Sequence, residues 1–88
     1  MQPKSTQWRH LVQRLLKAEL SKKGVKYQDL SDKLLAVGVA QSADNLRNKV
    51  NKGILGADLL LQIMYVLNIK QIRYEDIAEM LEDITDNG

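Results

Sequence analysis

An all-α bundle of about five helices is what this sequence predicts, and three features carry the prediction. Apolar residues recur at spacings of three and four through most of the chain, the period of a helix with one buried stripe, and no convincing strand interrupts them. Glycines at 24, 38 and 53 fall between those stretches, where a left-handed residue closes a helix. The only proline is Pro3, so nothing breaks a helix further along. Eighty-eight residues, 44% of them hydrophobic, suit one modest core, and 1–88 reads as a single helical domain.

The first helix, capped by Ser5 or Thr6, runs to about Lys23. Trp8, Leu11, Val12, Leu15 and Leu16 make its buried stripe. His10, Arg14 and Lys17 line up on its polar face, which reads as solvated. Gly24 ends it, and the second helix follows from Tyr27 to about Val37. Leu30 and Leu34 face inward there, four apart, with Leu35 or Val37 assisting.

The third helix lies within Gln41–Gly53, at about 42–52, and is the most informative stretch. Ser42 can accept from a free amide of the first turn, Asp44 favours the positive end of the helix dipole, and Gly53 supplies the left-handed cap. Only Ala43, Leu46 and Val50 are apolar, on one narrow stripe. The opposite face carries Asn45, Asn48 and Lys52, with Gln41 one turn earlier and Arg47 and Lys49 on the flanks. Few side chains hold this helix down, and it presents amides and cations outward.

Ile54 and Leu55 are expected to pack inward before a fourth helix at 57–67 that is apolar over most of its circumference. Leu60, Ile63 and Leu67 serve the core in this reading, leaving Leu59, Leu61, Tyr65 and Val66 without cover. That surplus suits a homodimer through helix 57–67. Residues 68–72 link to an acidic last helix at about 74–84, with Ile77, Met80, Leu81 and Ile84 inward and Glu79, Glu82 and Asp83 wet.

Net charge is only +2, but its distribution is uneven. Residues 1–27 hold seven Lys or Arg, Lys4 among them, against Glu19; residues 71–88 hold Arg73 against six acids, of which Glu75, Glu79, Glu82 and Asp86 form a row. A basic front and an acidic tail suit a binding face with the last helix turned away from it.

The chain has no cysteine, so disulfides, thiolate nucleophiles and zinc-finger ligands are excluded together. His10 is the single histidine, with no partner at metal or triad spacing. No Gly-rich phosphate loop or nucleophile–base spacing is present, so no enzyme, cofactor or small-molecule substrate is expected. The N-terminus lacks the apolar run of a signal peptide, and polar residues interrupt the longest apolar stretch. A cytoplasmic protein with no membrane partner is the expectation.

A short apolar helix, a Gly turn, a polar-faced helix and another Gly form a helix-turn-helix pattern at about 27–69. Double-stranded DNA is the expected partner, read in the major groove by the helix at 42–52. Asn45 and Asn48 suit adenine edges, while Arg47, Lys49 and Lys52 suit phosphate. The alternative is a small helical interaction module, docking a protein through the acidic last helix or the apolar fourth.

Tyr27-Gln-Asp-Leu30-Ser31, Gly38-Val39, Asn45-Leu46 through Gly53 and the apolar helix ending Val66-Leu67-Asn68-Ile69 resemble the phage-repressor, lambda-repressor-like helix-turn-helix domains. The resemblance covers roughly 27–69 and implies a compact bundle whose third helix enters the major groove. It also implies phosphate contacts from the start of the second helix, here Lys26, Tyr27 and Gln28. The connection is longer than in that family, since Gly38 falls seven residues after Ser31 and Leu46 eight after Gly38. The run Leu-Arg-Asn-Lys at 46–49 and the run at 15–20 further resemble, over most of the chain, a family of short uncharacterised bacterial proteins.

Overall fold

The computed structural model describes residues 5–87, and these hold five helices and no strand. They are α1 (Ser5–Lys23), α2 (Tyr27–Ala36), α3 (Ala43–Lys52), α4 (Ala57–Val66) and α5 (Tyr74–Asn87). Lys4 lies outside the described residues, as do the side chains of Ser5 and Asp86.

Helices α1 to α4 end in the same way. The residue after the last turn takes a positive φ, at Gly24, Gly38, Gly53 and, without glycine, Asn68. The next amide then reaches back to the last turn: Val25 N donates to Leu20 O at 2.9 Å, Val39 N to Leu34 O at 2.9 Å, Ile54 N to Lys49 O at 3.1 Å and Ile69 N to Met64 O at 2.8 Å. This closure satisfies carbonyls the helix leaves open and returns an apolar residue toward the bundle. Val25, Val39 and Ile69 do pack against the core. Ile54 does not; it is 51% exposed, and Leu55 takes the inward position expected of the pair.

One core joins α1 to α4: Leu16, Leu20, Leu30, Leu34, Leu46, Val50, Leu59 and Ile63, with Leu67 just beyond α4. Leu11 and Ile84, on the packed pair α1 and α5, are buried outside that cluster. Helix backbones neighbour one another in the order α5, α1, α3, α2, α4 among the described residues. Helix α3 therefore lies between α1 and α2, and α5 packs on α1.

Several inward assignments move. Trp8 is 46% exposed, and it is the backbone of the next residue, Arg9, that meets Gly53 at the end of α3. Leu20 completes the α1 stripe instead. Leu35 and Val37 are exposed, since Leu30 and Leu34 define the buried face of α2 and Val39 covers its end. On α4 the core positions are Leu59, Ile63 and Leu67, while Leu60 and Val66 are partly buried against them. The surplus apolar surface of that helix shrinks to Leu61 and Tyr65, 64% and 75% exposed. Helix α5 keeps Glu79, Glu82 and Asp83 at the surface, packs on its own chain's α1, and runs to Asn87.

Candidate functional site

Helix α3 is assembled from local chemistry that the sequence carries. Ser42 is extended, with φ −73° and ψ 158°, and its Oγ accepts from the Asn45 amide at 3.1 Å. Leu46 and Val50 are buried, Ala43 partly so, and Gly53 closes the helix at φ 64°. Gly53 is also the point of closest approach to α1. A Cβ there would collide with the Arg9 carbonyl oxygen and sit 2.6 Å from its carbonyl carbon. Only glycine lets the two backbones meet this way.

The nine residues expected to face DNA fall into three groups. Asn45, Asn48 and Lys52 stand exposed on the outer face of α3, and none makes a side-chain hydrogen bond or ion pair among the described residues. Gln41 and Lys49 pair with one another, Lys49 Nζ donating to Gln41 Oε1 at 3.3 Å. The Gln41 carbonyl also accepts from Ser31 Oγ, which ties the connection between the helices to α2. Lys26, Tyr27 and Gln28 at the start of α2 share a depression with Arg47 of α3.

Three of that last group pair locally, and only the Lys26 ammonium has no side-chain partner among the described residues. The Arg47 guanidinium bonds Asp44 Oδ1 at 2.6 Å and lies 5.3 Å from the Tyr27 ring centre, within cation–π range. The negative charge that Asp44 places on α3 is thus paired with a cation of the same helix, at the surface. Burial pushes the Tyr27 phenol up from its ordinary value, and Arg47 offsets part of the rise by favouring the phenolate. Gln28 Nε2 donates to Asp32 Oδ1 at 3.0 Å, and the Lys26 amide donates to Asp29 Oδ2 at 3.0 Å, capping α2.

Two open depressions flank this arrangement, one at each end of the α1–α3 contact. The first, about 680 Å³, has an apolar floor of Leu20 and Val25 under Lys17, Lys26 and Arg47. The second, about 530 Å³, joins Arg9, His10 and Gln13 of α1 to Asn51 and Lys52 of α3, with Ile54 beside them. Lys17, on the α1 face that the sequence reads as solvated, lines the first depression, and Arg9, to which the sequence assigns no role, lines the second. Helical period alone does not tell which neighbour a polar face meets; the excess of basic residues in 1–27 was the available signal. Arg14, from the same row, turns instead to α5 and bonds Asp83 Oδ2 at 2.9 Å.

No group of three or more His, Cys, Asp or Glu among the described residues could hold a metal ion, and no described helix is long and apolar enough to cross a membrane. Neither a curated protein nor a solved structure matches the chain. A family model does, over residues 8–72, a span that takes in nearly all of α1, the whole of α2, α3 and α4, and stops just short of α5. The chain therefore belongs to the family described as a domain of unknown function, DUF6471.

Proposed function

We propose that the protein binds double-stranded DNA through the outer face of α3, in the manner of the lambda-repressor-like helix-turn-helix domains its central region resembles. The observation that carries the reading is the state of Asn45, Asn48 and Lys52: exposed, on one face, and without side-chain partners among the described residues. An Asn amide can pair bidentately with an adenine edge, at about 1–3 kcal/mol of discrimination. Lys52 and Lys26 are the free-standing phosphate contacts in this reading. Arg47 and Lys49 are held by Asp44 and Gln41 and contribute less than their charge suggests. So few contacts make a weakly binding monomer, and a homodimer placing two α3 helices on neighbouring half-sites would restore affinity.

The test is fluorescence anisotropy of a labelled random-sequence duplex, titrated at low and at moderate salt. Salt-sensitive binding that Lys52→Glu with Asn48→Asp removes supports the proposal; no binding by folded protein at high micromolar concentration overturns it. A second reading, a protein-interaction module, is favoured by Leu61 and Tyr65, an exposed apolar pair one turn apart on α4. It expects those two side chains, and not Lys52, to govern association.

A further inference from the structure

We infer that α1 is the second wall of the DNA-binding surface, with Arg9 and Lys17 holding phosphates along the groove it forms with α3; this rests on the DNA-binding reading above. The sequence resemblance assigns backbone contacts to the start of α2, yet there Tyr27 lies against Arg47 and Gln28 is bonded to Asp32. That leaves Lys26 as the free cation at the start of α2, and α1 adds two more. Arg9 and Lys17 are exposed, and neither has an ion-pair partner among the described residues. Each lines one of the two depressions at the ends of the α1–α3 contact.

The placement fits a polyanion. The eight residues from Arg9 to Lys17 rise about 12 Å along α1, and B-DNA advances about 3.4 Å per phosphate along one strand. The two cations thus bracket between three and four phosphates. Among the described residues Asp44 is the only acid lining either depression, and it is paired with Arg47. Glu19 and Asp76 line a small cavity with Leu15 and Met64, and Asp83 meets Arg14 on the α5 side. The contact of Gly53 with the Arg9 backbone holds this wall in register with α3, beside Lys52. A nucleic-acid backbone is the occupant that matches separated, unpaired cations in two depressions whose other walls come from α3, Lys52 among them.

The experiment compares wild type, Arg9→Gln/Lys17→Gln and Lys22→Gln/Lys33→Gln on the same labelled random duplex across a range of salt. The second double variant removes equal charge from exposed positions that line neither depression. Each phosphate contact contributes about 0.9 to the slope of log K against log salt, so the Arg9/Lys17 variant is expected to flatten it by about 1.8, with the control near wild type. An unchanged slope in the Arg9/Lys17 variant, where wild type binds and Lys52→Glu weakens it, overturns the inference and leaves the proposed function standing. Wild type that fails to bind any duplex overturns both. Labelled polyglutamate bound as tightly as duplex, with the same loss in the Arg9/Lys17 variant, would assign the groove to an acidic protein segment and overturn the inference.

Discussion

The backbone of Arg9 occupies the place where a side chain on Gly53 would begin, leaving no room for a Cβ between the end of α3 and α1. Gly53 also holds φ 64°, a conformation that strains any residue with a Cβ. Gly53→Ala therefore combines two penalties, whereas Gly24→Ala and Gly38→Ala meet positive φ but open space. The expectation is roughly 1 kcal/mol of destabilisation at Gly24 or Gly38 and about 2–3 kcal/mol at Gly53. Thermal unfolding of the three variants checks the order, which equal losses would contradict.

Leu59 and Leu61 separate the core of α4 from its surface. Leu59→Ala should destabilise by about 2–4 kcal/mol through a lost core contact, and Leu61→Lys should stay within about 0.5 kcal/mol. Urea denaturation measures both. If α4 forms a dimer interface, Leu61→Lys will in addition shift the sedimentation profile from dimer to monomer.

These two leucines also mark how far the sequence could be read. Helix number, order and approximate ends were legible because glycine closure and the three-four apolar spacing are local signals. Asn68, which ends α4 as the glycines end their helices, could not be told from an ordinary loop residue. On α4 the periodicity is blurred, since nearly every position is apolar, and the choice between Leu59 and Leu60 rested on tertiary packing. The site follows the same rule. Ser42, Leu46, Val50 and Gly53 behave as their local chemistry requires. Pairings across elements, such as Lys49 with Gln41 and Arg47 with Tyr27, had no signature in spacing.

Tyr27 gives the fold an alkaline sensitivity. Burial raises its folded-state pKa above the ordinary value, so the folded chain holds the phenol proton more tightly than the unfolded one. That contribution to stability is fully present below the ordinary tyrosine pKa and is lost as pH rises through the folded value. Arg47→Gln removes the opposing charge and should move the Tyr27 titration further up, measured as phenolate absorbance by difference from Tyr27→Phe. A downward shift would contradict the assignment of Arg47 as the lowering influence.

Ser42→Ala removes the acceptor for the Asn45 amide and should destabilise by about 1 kcal/mol. The loss is confined to the first turn of α3, so amide exchange should quicken at Asn45 while Leu46 and Val50 stay protected. Uniform loss of protection would mean that the cap supports the whole bundle.

The central claim, that the outer face of α3 meets DNA, is tested most directly by salt-dependent anisotropy of a random duplex with wild type and with Lys52→Glu/Asn48→Asp. The account predicts binding that weakens steeply with salt in the wild type and is lost in the variant, with both proteins equally folded. Equal affinity in the two, or no wild-type binding at all, would contradict it.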